Sequence, residues 1–263
     1  MQGPANDQRR VLLLAGTGEG PRLVRELSRR DWRVRVSVVT PSAAKAFAGL
    51  PLEGISVGAL QGVGGITAAL RQAGPFAWVV DATHPFASEI SQSLVNACAA
   101  VDQPLLRYER RLEPLGAASL VADAEALASQ SLQGQRLLLA IGGRHLPAIA
   151  AAVRRAGATP YGRALPSPDG LRAALRAGLP MDHLAVVRPL QGEVPGAIER
   201  ALCRRWGIDV VLCRQSGGVT ERLWHELTTE LDLSLVLLRR PAPPVGMTCV
   251  DDVGTLLQRL ERD

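Results

Sequence analysis

Aromatic side chains are scarce in this 263-residue chain, with Trp, Tyr and Phe together making up 3% of it. That leaves little material for stacking bases in a single-stranded nucleic-acid groove. Lysine is scarcer still: Lys45 is the only one, and every other basic side chain is arginine. Cys98, Cys203, Cys213 and Cys249 are scattered, with no CxxC pair and no histidine at ligand spacing. Neither disulfides nor a metal site is expected, and the three cysteines in apolar-patterned segments read as buried thiols. No apolar run reaches the roughly 18 residues needed to span a bilayer. Residues 1–10 are polar and lack the apolar core of a signal peptide. The expectation is a cytoplasmic protein with no membrane partner.

What is present is core. Hydrophobic residues make up 47% and charged residues 21%, which suits a packed globular chain rather than a disordered one. The length allows one large α/β domain or two small ones. The net charge of +5 has two readings. Arginine bias can reflect genome composition, or the guanidinium groups can serve an anionic partner through bidentate pairing. The arginines are dispersed rather than clustered, and no nucleic-acid motif accompanies them.

Residues 10–15 (RVLLLA) read as a short buried strand running into Gly16-Thr17-Gly18-Glu19-Gly20, with Pro21 fitting the first turn of a helix. Strand, glycine turn and helix form the dinucleotide-binding arrangement, in which glycines admit a phosphate to the backbone and the helix N-terminus supplies donors. The spacing is GxGxG rather than GxGxxG, so a plain tight turn is the competing reading. Residues 33–39 form a second strand, after which an NAD site would carry an acid for the ribose. No acid lies between Asp31 and Glu53. Ser37, Thr40, Ser42 and, more remotely, Lys45 are there instead, which favours the 2′-phosphate of NADPH unless these residues merely cap the following helix.

Strands are expected at 55–57, 76–81 and 105–107, with helices at 62–70 and 88–100. The fourth strand ends in Asp81-Ala82-Thr83-His84-Pro85-Phe86-Ala87, the kind of strand-end loop where open α/β sheets bind ligands. Residues 108–116 break the rhythm and read as a crossover between domains, 1–112 and 113–263. The last helix could pack back on the first domain. In the second half, strands are expected at 136–141, 184–187, 210–213 and 233–238, with an extended segment at 163–166. Helices are expected at 146–156, 171–177, 193–206, 219–231 and 253–260. Several of the strands end in arginine beside Gly or Pro: Arg144, Arg188, Arg214 and Arg239/Arg240. At one sheet edge these could converge on a polyanion, or they could simply be solvated strand ends.

DATHPFA at 81–87, with Arg107-Tyr108-Glu109-Arg110 downstream and the glycine turn upstream, resembles the precorrin-6A reductase family of corrin (vitamin B12) biosynthesis. Arg163-Ala164-Leu165-Pro166, Gln215-Ser216-Gly217-Gly218 and Arg240-Pro241 follow in the family's order. The resemblance implies two linked Rossmann-like α/β domains with parallel sheets and a cleft between them. It also implies NADPH-dependent reduction of one double bond in a tetrapyrrole-derived macrocycle bearing many carboxylates. Neighbouring corrin-pathway enzymes are further candidate partners. Ala15 replaces a common glycine, Gly20-Pro21 the more usual Ala-Arg, and Arg214-Gln215 stands where lysine and a polar residue are typical.

On this reading Gly16, Thr17, Gly18, Glu19 and Gly20 hold the pyrophosphate, and Ser37 and Thr40 the 2′-phosphate. Thr83, His84 and Pro85 then lie beside nicotinamide and macrocycle. His84 is the candidate proton donor, or else it shapes the turn. Asp81 is the second candidate for the chemistry, or a loop anchor. Arg144, Arg188, Arg214, Ser216 and Gly217 are the candidates for the substrate carboxylates. The competing functions are a non-catalytic NADPH sensor and a reductase of another anionic substrate. A nucleic-acid role ranks last and would show strong salt dependence.

Overall fold

A computed structural model describes residues 9–188 and 194–262. Residues 1–8, Pro189 and Glu193, where the sequence predicts a helix to begin, lie outside the described residues. The chain divides into two compact units, Met1–Arg111 with Pro241–Asp263, and Leu112–Arg240. The second expected domain thus loses its last segment, because the final strand and helix complete the first unit.

In the first unit β1 (Arg10–Ala15), β2 (Arg33–Val38), β3 (Gly54–Val57), β4 (Trp78–Ala82) and β5 (Leu105–Tyr108) alternate with α1 (Gly20–Ser28), α2 (Pro41–Ala44), α3 (Gly62–Ala73) and α4 (Ser88–Ala99). The second unit runs β6 (Ser119–Val121), α5 (Ala124–Ala128), β7 (Arg136–Ala140), α6 (Leu146–Arg155), β8 (Thr159–Ala164), α7 (Pro168–Arg176), β9 (Leu184–Val186), α8 (Ala197–Trp206), β10 (Val210–Arg214), α9 (Val219–Glu230) and β11 (Ser234–Leu238). The chain then returns to the first unit with β12 (Cys249–Val250) and α10 (Val253–Arg262).

Each unit holds one six-stranded sheet, β3-β2-β1-β4-β5-β12 and β9-β8-β7-β10-β11-β6. The pairings are parallel. The first sheet follows the doubly wound order 3-2-1-4-5-6, and the second repeats its first five places with β7 to β11 but has its earliest strand, β6, in the sixth. Progress along the sheet reverses beside β1 and beside β7. The sixth place is filled by exchange: β6 is entered after the chain leaves β5, and β12 after it leaves β11. Neither strand is expected from the sequence, because segments of three and two residues are too short to show a period.

The sheets are buried because both faces carry helices. Along β1, Val11, Leu13 and Ala15 join α1 and α10 in one core, with Leu23, Leu27, Leu256 and Leu260. Leu12 and Leu14 point the other way, into a core with Ile66 and Leu70 of α3 and Leu94 and Cys98 of α4. In the second unit, Val211 and Cys213 of β10 pack with Trp206, Leu223, Trp224 and Leu227. Burial pushes the Cys98 and Cys203 thiols up to about 11, as expected of structural thiols; Cys249 is exposed. No described helix is long and apolar enough to cross a membrane.

Among the boundaries that differ from expectation, two have a local cause. β8 begins at Thr159 rather than 163, since Pro160 and Gly162 disguise its start as a turn. α7 begins at Pro168 rather than 171, because the Ser167 hydroxyl accepts the Gly170 N–H at 3.1 Å and caps it.

Candidate active site

Register places Ala15 of β1 beside Ala82 of β4, so the loops that follow these strands leave the sheet side by side. A Cβ on Gly16 would lie 3.5 Å from the His84 backbone nitrogen and 3.6 Å from Thr83 Cα. The glycine turn and the 83–85 loop therefore form one surface at the point where strand order reverses. Gly20 is buried, and a Cβ there would meet Phe47 Cζ at 2.8 Å and Ala15 Cβ at 3.0 Å. Gly18 has nothing within 4 Å of such an atom. Gly20 thus serves close helix–strand packing, whereas Gly18 leaves the turn open. At the head of α1 no side chain caps the first turn; the Gly20 N–H donates to the Thr17 carbonyl at 3.3 Å and Pro21 has none to give. Glu19 is paired with Arg110 at 3.4 Å.

Asp81 is wholly buried. Its Oδ1 accepts the Thr83 N–H at 2.9 Å and the Thr83 hydroxyl at 2.7 Å. Its Oδ2 accepts the Ser91 hydroxyl at 2.7 Å and Arg107 Nη1 at 2.5 Å. Asp81 therefore lies beneath the loop and anchors it. His84 is half-buried, and its Nδ1 accepts the Phe86 N–H at 3.1 Å. With Nδ1 engaged as an acceptor, the neutral ring carries its proton on Nε2. His84 thus shapes the turn through Nδ1.

At the end of β2, Ser37 is buried within the strand, in register with Leu14 and Ser56. It is one residue short of the strand end. Thr40 is exposed and caps α2, its hydroxyl accepting the Ala43 N–H at 3.1 Å. That hydroxyl keeps its own hydrogen to donate.

In the second unit Arg144 follows β7 and Arg214 ends β10, and these strands are neighbours. The Arg214 guanidinium lies 3.6 Å from a Cβ built on Gly142. Burial pushes the His145 ring below the ordinary histidine range, and the charges of Arg214 and Arg144 push it the same way. Two of the expected arginines therefore converge. Arg188 lies past the edge strand β9, two strands from β7. Arg163 is partly buried and paired with Glu199 inside the unit. Ser216 and Gly217 are buried in the turn after β10, where Gly217 and Gly218 take positive φ values of 68° and 77°. The Gly217 N–H donates to Glu221 at 2.6 Å and the Gly218 N–H to Glu113 at 3.0 Å.

The family model of the precorrin-6x reductases (CbiJ/CobK) matches residues 10–261. The chain belongs to this family. It is 33% identical over 247 residues to a precorrin-6A reductase of Mycobacterium tuberculosis, covering 93% of this chain and 94% of the relative. It is 30% identical over 267 residues to a cobalt-precorrin-6A reductase of Salmonella typhimurium, with 96% and 95% covered. The solved structure of CobK precorrin-6A reductase superposes with a TM-score of 0.72 at 27% identity, covering 96% of each chain.

A precorrin-6x reductase is an oxidoreductase, so the loops at the β1–β4 boundary are where its chemistry is to be sought. Sequence reasoning missed Glu221, Glu113 and Ser91 as loop-holding residues. Glu221 alone left a local signal, a glutamate at the third position of a helix entered through glycine, which approximates a capping box.

Proposed function

We propose that the chain reduces one double bond of the precorrin-6A macrocycle, or of its cobalt form, with NADPH as the hydride source. The observation that carries this reading is the packing of Gly16 against Thr83 and His84, which joins the cofactor turn to the DATHPFA loop. Gly16 to Gly20 and the head of α1 suit a pyrophosphate. Thr40, with Ser42 and Lys45 close by in sequence, suits a 2′-phosphate; Ser37, buried, leaves the set. Reduced nicotinamide supplies a hydride when bound. The chain's own part is to orient, to exclude water over the loop, and to deliver a proton. His84 would hand that proton over from Nε2. Arg144 and Arg214 suit carboxylates of the macrocycle, with the turn at Ser216 and Gly217 beside the end of β10.

NADPH oxidation followed by absorbance, with precorrin-6A and separately with cobalt-precorrin-6A, tests the reading. Turnover with one confirms it and identifies the substrate. NADPH binding without turnover on either macrocycle would leave a sensor or a reductase of another anion. His84→Ala is expected to lower turnover far more than NADPH affinity; full turnover in that variant would remove the proton-donor role.

A further inference from the structure

We propose that Arg107 is a positioning residue for this reduction, acting through Asp81 to fix the Thr83–Pro85 loop. The proposal rests on the reductase reading above. Register sets Arg107 of β5 directly beside Asp81 of β4, and the two side chains are 3% and 0% exposed. Arg107 Nη1 donates to Asp81 Oδ2 at 2.5 Å and to the Ser91 hydroxyl at 2.7 Å. Its Nη2 reaches Glu109 at 3.4 Å. With Oδ2 occupied by Arg107 and Ser91, Oδ1 is given over to Thr83, whose backbone and hydroxyl both donate to it. Thr83 in turn packs against Gly16. An unbroken line of contacts runs from the guanidinium to the surface shared by both loops.

Stability alone gives a poor account of this arrangement. A buried ion pair seldom stabilises more than apolar residues of the same volume would. What apolar residues could not supply is a carboxylate oriented to receive two donors from one loop residue. Arg107 is itself sealed from solvent, so it acts on the reaction only through its neighbours.

The test uses the full-length protein with Arg107→Gln, Arg107→Lys and Ser91→Ala. Arg107→Gln is expected to lower kcat about 100-fold, the cost of a misplacement of about 1 Å, with NADPH affinity little changed. Arg107→Lys, which keeps the charge, is expected to recover part of that loss, and Ser91→Ala to lose less. Should Arg107→Gln fail to fold, the other two variants keep the charge pair and carry the test. Thr83→Val combined with Arg107→Lys is expected to be no worse than the poorer single variant, since both act through one carboxylate. A readout independent of turnover is the amide resonances of Thr83 and Phe86, expected to shift in Arg107→Lys. Wild-type turnover in both Arg107→Lys and Ser91→Ala, with those amides unmoved, would overturn the proposal. If the unmodified protein turns over neither macrocycle while the amides still shift in Arg107→Lys, the reductase reading falls and the loop-positioning line stands.

Discussion

Gly18 and Gly20 stand two residues apart, yet substitution should separate their roles. At Gly20 a methyl group collides with Phe47 and Ala15 inside a filled core, and overpacking of that kind costs about 1–3 kcal/mol. Gly20→Ala is therefore expected to lower the melting temperature. At Gly18 a methyl group meets nothing within 4 Å, and the residue is not among those with positive φ. Gly18→Ala should leave the melting temperature unchanged and, on the proposed reading of the glycine turn as the pyrophosphate site, weaken NADPH binding. Calorimetric melting and NADPH titration of both variants check the pair. Equal loss of NADPH affinity with no stability change in either would contradict the division. Asp81 and His84 show the same separation in another form. Both lie in one heptapeptide, but the acid is sealed under the loop and the imidazole is at its surface.

At the scale of strands and helices, the convergence of β7 and β10 has a consequence for pH dependence. His145 is held below its ordinary value by burial, then by Arg214 and Arg144. The unfolded chain therefore takes up a proton at this position at a higher pH than the folded chain does. The stability contributed by His145 is full above the unfolded value of about 6.5 and is lost as pH falls through the lower folded value. Thermal melts between pH 7.5 and 5.5, a range chosen roughly to bracket that value, should show a steeper decline in the unmodified protein than in His145→Gln. Parallel slopes would remove His145 from the account. The strands that bring these groups together were legible, since runs such as 10–15, 136–140 and 234–238 are apolar stretches bounded by turn residues. The residues that hold the loops were not. Glu113 meets Gly218 across 105 positions, and Arg107 meets Asp81 across 26, distances at which periodicity carries no information. The convergence of Arg144 with Arg214 needed strand order, which composition and spacing do not give.

At the scale of the molecule, the segment after Arg240 belongs to a sheet begun 230 residues earlier, β1 starting at Arg10. Val250, Val253, Leu256, Leu257 and Leu260 are all buried in the first unit's core. At about 1.5–3 kcal/mol for each buried side chain, their sum rivals the whole stability of an ordinary domain. A chain ending at Arg240 is expected to lose amide protection across residues 9–111 while residues 119–238 keep theirs. Hydrogen exchange with mass spectrometry reads both regions in one experiment, and retained protection of 9–111 would refute the expectation. The same exchange of sixth strands governs how the protein comes off the ribosome. All six strands of the second sheet have been synthesised once Leu238 is made, whereas the first sheet still awaits β12. Maturation should thus run against the usual N-terminal-first order, with the nascent first unit held open at β5 until β12 and α10 are translated.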